Sequence, residues 1–285
     1  MSEAVCRPHF ARLVRGELRK LSRQRTNWLM VGLAVVAGVI AGLVLSTSSG
    51  IWHAEGAYRD AIQTDPAYWI HGLVVVSGLI IRIIGGALLL FASARLVGVE
   101  YSAGPIRVVL ARGVGRVQLL AAKLLALAIF ALAVFAGLLV LAVPFGLAQV
   151  AAQHGSLSHL LPVLAGSERH DLWVHLLTIL ISFGVCILIG AAGAATTRSL
   201  PLGMVVAVTF FPLDNLVAGD RDYNIYQLSP NLNTLGGTMS HMREGIFTRL
   251  AAPVDTTHSL VVIGVYCAAF LLAAFLSTWR RDVLE

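Results

Sequence analysis

Six apolar runs, each about 20 residues long, most constrain what this chain can fold into, since a helix of that length crosses the roughly 30 Å of bilayer hydrocarbon. The runs are approximately residues 28–46, 70–94, 124–143, 172–196, 200–217 and 259–278. The fifth run is the weakest, because Pro212 and Asp214 interrupt its far end. The pattern predicts an all-α integral membrane protein with six transmembrane helices.

Composition agrees with a membrane protein. The chain is 57% hydrophobic and 13% charged, with a mean hydropathy of +0.80, whereas about 25% of the residues in a soluble domain are charged. We predict two regions, a polar stretch at 1–27 and a membrane domain at 28–285. One of the three cysteines precedes the first run and two lie inside runs, so we expect no disulfide.

Charge asymmetry predicts the orientation. Of the 21 Lys and Arg residues, seven precede the first run and five lie between the second and third runs. With six spans these segments share one side, and that side is cytoplasmic because positive residues are retained there. We therefore expect both termini in the cytoplasm and the protein in the inner (plasma) membrane. The net charge of +6 then reflects topology, and we expect no nucleic-acid partner.

The segment before the first run has two faces when drawn as a helix. Its apolar face comprises Phe10, Leu13, Val14, Leu18 and Leu21, and five Arg and Lys residues occupy the opposite face. This pattern predicts an amphipathic helix in the cytoplasmic interface of the bilayer, with Trp28 at the level of the head groups. An ordinary basic flank is the alternative. Glu17 falls on the apolar face, so we expect it to pair with Lys20 or to point into a neighbouring span.

A basic segment at 98–116, punctuated by Gly and Pro, separates the second and third runs. Within it, the stretch 105–112 combines a few apolar residues with a flanking arginine at each side, Arg107 and Arg112. Such a segment is suited to docking on another protein. A charged turn held against lipid head groups is the alternative reading.

This region resembles the permease subunits of type 2 ABC transporters. The resemblance lies in a G-x-E-x-x-x-G motif followed by a basic stretch that leads into the next span, and its residues here are Gly98, Glu100, Gly104, Arg116 and Lys123. The basic helix before the first span and the closing W-R-R-D, residues 279–282, fit the same family. Pro105 departs from the family, which commonly has Thr there.

The resemblance implies a role for the loop. In that family the loop between spans 2 and 3 carries a coupling helix that docks on a cytoplasmic ATPase, and the N-terminal amphipathic helix is called the elbow. The residues implied in the coupling region are Glu100, Gly104, Pro105, Ile106, Arg107, Arg112 and Arg116. The implied partners are two copies of an ABC ATPase, a second permease copy or a similar permease, and the lipid bilayer. No P-loop motif is present in the sequence, so ATP and Mg are expected on the partner.

Arg82 is the charged residue in the middle of a predicted span. A charge there costs about 2.5–3.5 kcal/mol on insertion scales, so we expect Arg82 to face the protein interior, a water-filled pathway or an ion-pair partner such as Asp214. Its function would be to contact an anionic substrate or to form a gating ion pair. A purely structural pair or a snorkelling side chain is the alternative. The resemblance implies that the external segment 218–257 caps the outer mouth of the translocation pathway. Gly190 and Gly193, among alanines, form a small face on which another helix can pack closely.

Sites for metals and for catalysis find little support in the sequence. The histidines, His175 among them, fall mostly in predicted external regions, and their spacing matches no tetrahedral metal site. There is no catalytic motif or buried pair of acids of the kind that an intramembrane enzyme requires. We expect the translocation subunit of an ATP-driven exporter with an amphiphilic cargo. A secondary transporter or channel that works without ATP is the alternative, and a membrane enzyme ranks third.

Overall fold

A computed structural model describes residues 10–47, 66–103, 115–154, 168–217, 225–236 and 254–280. Within these ranges every regular element is a helix and none is a strand. The helices are α1 (Phe10–Arg23), α2 (Arg25–Thr47), α3 (Pro66–Ala103), α4 (Arg116–His154), α5 (Glu168–Thr197), α6 (Leu200–Val217), α7 (Leu228–Gly236) and α8 (Thr256–Arg280). The predicted all-α class is therefore confirmed for the described residues.

Four of these helices are long and apolar enough to cross a membrane. Their candidate spans are Ile81–Val99 in α3, Arg116–Leu141 in α4, Trp173–Thr197 in α5 and Thr256–Trp279 in α8. The apolar run at 200–217 coincides with α6, which contributes the shorter apolar stretch Leu200–Phe210. The run at 28–46 lies within α2. The number of spans, six, stays a prediction.

Helices α3 and α5 form the centre of the bundle, and small residues bring them close together. A side chain at Gly190 of α5 would collide with Ser93 Oγ and with the carbonyl oxygen of Leu90, both on α3. Further out, Gly85 of α3 gives room to the ring of Phe183, which is fully buried. The small face predicted in α5 thus packs within the chain.

The turn between α5 and α6 seats α6 against this centre. Arg198 adopts a left-handed conformation with φ of 51°, which reverses the chain at the end of α5. Gly203 of α6 then lies so close to Ala194 that an added Cβ would be 2.7 Å from the Ala194 Cα atom. Gly98 of α3 is equally close to α6, since a Cβ atom added to Gly98 would be 2.9 Å from the Cα atom of Leu200.

Helices α4 and α8 present apolar surface outwards. Val261, Val265 and Leu272 of α8 and Leu132 and Val140 of α4 are exposed. Since no water is needed to satisfy a helix backbone, such faces are suited to acyl chains or to another membrane helix.

Helix α7 is short but thoroughly buried. Leu228 and Asn231 have no exposed surface, and Leu232 and Leu235 are each 3% exposed. The helix packs among α5, α6 and α8. The middle of the predicted external segment 218–257 is therefore a helix enclosed by the bundle, while its other parts, 218–224 and 237–253, lie outside the described residues.

Replacing Gly190 with leucine should destabilise the bundle. The added side chain would meet the α3 backbone at Leu90, and overpacking of this kind costs about 1–3 kcal/mol. The thermal unfolding midpoint in detergent should fall by several degrees. Gly184 on the same helix is exposed and has open space around it, so Gly184→Leu is the matched control. Equal midpoints for the two variants would contradict the packing described above.

Candidate functional site

Glu17 lies at the centre of the α1 surface that packs against the bundle. Val14, Glu17 and Leu21 are the buried residues of this helix, and their spacing of three and four residues places them on one face. Glu17 is 4% exposed. Among the apolar residues predicted for this face, Leu13 and Leu18 pack at its edge, whereas Phe10 is exposed.

Lys123 of α4 binds Glu17 and also binds α3. Its Nζ donates a hydrogen bond to Glu17 Oε2 at 3.0 Å and a second to the carbonyl oxygen of Leu96, also at 3.0 Å. Lys20 Nζ lies 2.6 Å from the other carboxylate oxygen of Glu17. We call Glu17, Lys20, Lys123 and the Leu96 carbonyl the inner cluster. Both partners expected for Glu17, Lys20 and a neighbouring span, are present.

Because the ion pair of Glu17 and Lys123 is buried, its loss would strongly lower the stability of the fold. Lys123 is 3% exposed, as deeply buried as its partner. Removing one member of a buried pair leaves the other charge without compensation, at a cost of about 3–5 kcal/mol. The inner cluster therefore fixes the relative position of three helices, α1, α3 and α4.

Two members of the inner cluster flank the predicted coupling segment 98–116 along the sequence. Leu96 is one helical turn before Glu100 on α3, and Lys123 is two turns after Arg116, the first residue of α4. Arg116 is partly buried. The backbone of Glu100 belongs to α3, but its side chain is outside the description. The remaining coupling residues, Gly104, Pro105, Ile106, Arg107 and Arg112, lie outside the described residues.

Two side chains fix the joint between α1 and α2. Asn27 Nδ2 donates to the carbonyl oxygen of Leu21 at 3.0 Å, and Trp28 Nε1 donates to that of Ser22 at 2.6 Å. These bonds satisfy carbonyls that the end of α1 leaves without helical partners. The Trp28 ring is 62% exposed, as a residue at a membrane interface would be. A displacement of α1 is thus carried into α2.

On the far side of the bundle, Arg82 of α3 binds α7. Its Nη1 donates to the carbonyl oxygen of Leu232 at 3.2 Å, and its Nη2 donates to Asn233 Oδ1. Leu232 is the central residue of α7 and Asn233 follows it, so the cation binds the middle of the short helix.

Asp214 of α6 binds the N-terminal end of the same short helix. Its Oδ2 accepts a hydrogen bond of 2.6 Å from the backbone amide of Ser229, the second residue of α7. An anion at this end matches the positive end of the dipole. Asp214 thus binds the N-terminal end of α7 and Arg82 binds its middle, in place of the direct pair that the sequence suggested as one option. A place for either residue on a transport pathway stays a prediction.

Three of the residues in these sites were not predicted. Asn233 and Ser229 lie in the external segment, and no motif marks them. His175, expected in an external region, is 7% exposed and lies inside α5 against Gly78 of α3. That expectation was wrong, and the apolar residues on both sides of His175 were the signal of its burial. Within the described ranges, no group of three His, Cys, Asp or Glu residues could hold a metal ion.

Comparison with known families identifies the kind of chain. Residues 13–213 match a family described as ABC-2 family transporter protein, and this match covers well over half of the 285 residues. No curated protein gives a significant sequence match. The matched range includes Glu17, Arg82 and Lys123, and it ends one residue before Asp214.

Glu17→Gln should destabilise the protein strongly, because the buried Lys123 would lose the carboxylate oxygen that its Nζ contacts at 3.0 Å. We expect a loss of about 3–5 kcal/mol in the free energy of unfolding, measured by denaturant titration in detergent. Combining Glu17→Gln with Lys123→Met should cost less than the sum of the single changes. Arg19→Gln, on the exposed face of α1, is the control. A Glu17→Gln variant as stable as this control would refute the role assigned to the inner cluster.

Asp214→Ala should loosen α7 in particular. Loss of a capping acceptor costs about 1 kcal/mol, so amide hydrogen exchange in residues 228–236 should accelerate roughly fivefold, as measured by mass spectrometry. Asp255 caps α8 in the same manner, through the amide of His258 at 3.1 Å. Asp255→Ala should therefore affect the start of α8 and leave α7 protected. Unchanged exchange of α7 in Asp214→Ala would show that this bond does not hold the helix.

Proposed function

We propose that this chain, which belongs to the ABC-2 transporter family, is the permease subunit of an ATP-driven exporter. It is a multi-pass membrane protein of a transport family. In our proposal it has six spans preceded by an elbow helix in the cytoplasmic interface, with both termini in the cytoplasm and the chain in the plasma (inner) membrane. Two such permeases, identical or similar, enclose the translocation pathway.

The observation that carries this proposal is the inner cluster. A cytoplasmic ATPase that grips the segment 98–116 pulls on the ends of α3 and α4. Because Lys123 binds both the Leu96 carbonyl and Glu17, that pull reaches α1 as well. The bonds of Asn27 and Trp28 then carry it into α2. The loop is thereby coupled to four helices.

The energy source is assigned to a partner chain. The sequence has no G-x-x-x-x-G-K-[ST] stretch to bind nucleotide phosphates. We propose that two copies of a separate ABC ATPase bind ATP and Mg and hydrolyse the nucleotide. The permease supplies the pathway and the docking segment and has no enzymatic activity of its own.

On the outer side, α7 is the proposed closure of the pathway. Asp214 of α6 holds its N-terminal end and Arg82 of α3 holds its middle. A movement of α3 relative to α6 would break one of these contacts and release the helix. Driven from the inner cluster, α3 is the element that can do this.

A secondary transporter is the second candidate, and His175 is the observation that favours it. A histidine buried within a span is a residue type that proton-coupled transporters use. The two candidates differ in their energy requirement. Uptake driven by a proton gradient in vesicles that contain the chain alone would support the second candidate, and a strict requirement for ATP and an ATPase partner would support the first.

The variant Glu100→Ala with Arg107→Glu tests the coupling role. Charge reversal in the segment should disrupt docking, so transport by reconstituted permease and ATPase should fall at least tenfold, with membrane insertion intact. Arg243→Glu, on the predicted outer side, is the matched control and should transport normally. Transport that continues unchanged in the double variant would contradict the docking role of the segment 98–116.

A further inference from the structure

Arg82 is a cation in the outer part of the bundle whose bonded acceptors are neutral. A guanidinium has five N–H donors, and the two bonds described above use the Leu232 carbonyl and the Asn233 side-chain oxygen. Asp214 accepts a hydrogen bond from the backbone amide of Ser229 at the N-terminal end of α7. The positive charge of Arg82 therefore has no carboxylate in contact with it among the described residues.

The stretches of α3, α5 and α7 nearest Arg82 contain no acid, and the acids of α5, Glu168 and Asp171, lie at its beginning. Neither residues 66–99, nor 173–197, nor 228–236 include an Asp or Glu. A second basic side chain is close by, because His175 lies against Gly78, one turn from Arg82 on the same face of α3. The buried polar side chains nearby, Thr178 and Asn231, are uncharged. This composition attracts an anion and disfavours a cation.

The surroundings of Arg82 are otherwise apolar and reach the surface of the bundle. Ile81 and Leu235 are buried, and Ile83, the next residue along α3, is 60% exposed at the surface of the bundle. Arg82 is 14 residues from Leu96, which is about 21 Å along a helix at 1.5 Å per residue. A molecule with a charged head and an apolar tail could therefore reach the guanidinium from the bilayer.

From these observations we infer that Arg82 is a headgroup site for an anionic amphiphile, between α3, α5 and α7. The inference rests on the proposed function in taking the amphiphile as the cargo. In the structure, Nη2 of Arg82 donates a hydrogen bond to Asn233 of α7. A phosphate or carboxylate would accept a hydrogen bond from the same group, so the anion and α7 compete for Arg82. Arginine suits this role because its planar donors bind both oxygens of such a group.

Equilibrium binding to the full chain in phosphatidylcholine nanodiscs, with no ATPase present, tests the inference. The probes are dodecyl phosphate and dodecyltrimethylammonium, which share a tail and differ in the sign of the headgroup. We expect the phosphate to bind at least tenfold tighter than the ammonium after subtraction of binding to empty nanodiscs. Equal affinities for the two probes in the unmodified protein would overturn the inference.

Two variants separate an anion site from a clamp on α7. Arg82→Gln should abolish the preference for the phosphate probe, and Arg82→Lys, which keeps the charge, should retain part of it. Asn233→Leu removes the competing acceptor and should leave the preference intact or increase it. If Arg82→Gln and Asn233→Leu lower phosphate binding equally, Arg82 only holds α7 and the inference is wrong.

Inorganic phosphate is the remaining probe. It should compete at least a hundredfold more weakly than dodecyl phosphate, because it has no tail to bury. Equal competition would show a site for free anions and would overturn the amphiphile part of the inference. Since no ATPase takes part, a failure here is distinct from a failure of the coupling role, which the Glu100→Ala and Arg107→Glu variant tests separately.

Discussion

The buried ion pair between Glu17 and Lys123 is the interaction on which the inner half of this structure depends. Two opposite charges are removed from water and satisfied by each other, by Lys20 and by one backbone carbonyl. The desolvation of buried charges is offset only when the charges are close and hydrogen-bonded to each other. In our account the pair therefore sets how α1 lies against α3 and α4, together with the apolar packing of Val14 and Leu21.

The outer half uses a different device. Helix α7 is too short to be stable alone, and it is held by burial, by Asp214 at its N-terminal end and by Arg82 at its middle. Asp214 and Arg82 come from helices on either side of it. A short helix fixed in this way is released when its two neighbours separate. In our proposal the inner and outer devices act in sequence, since α3 belongs to both.

The sequence predicted those parts of the fold that depend on local pattern. Apolar runs gave the helices, and the anomaly of a glutamate on an apolar face pointed to a buried partner for Glu17. Lys123 was noted for its place in a family motif, but nothing local shows that it reaches α1. The pairing is a long-range contact, and one sequence contains no signal for it. The same reason explains why α7 was read as part of an external loop.

Contacts between α3 and α5 show a related limit of prediction from the sequence. Gly190 was recognised as part of a small face, yet whether that face meets another chain or another helix of the same chain depends on topology. In the structure Ser93 of α3 fills the space in front of it. Among the described residues, the exposed apolar faces of α4 and α8 have no such neighbour and are available to lipid or another membrane helix.

The central claim is that α1 and α4 move as one body when a cytoplasmic ATPase acts on this permease. Arg19 of α1 and Leu125 of α4 are both exposed, so spin labels at these positions report the distance between the two helices by pulsed electron paramagnetic resonance spectroscopy. With the ATPase present, that distance should stay constant through the nucleotide cycle, while the distance from Arg19 to a label at Trp279 of α8 changes. A change between Arg19 and Leu125 as large as that between Arg19 and Trp279 would contradict the account.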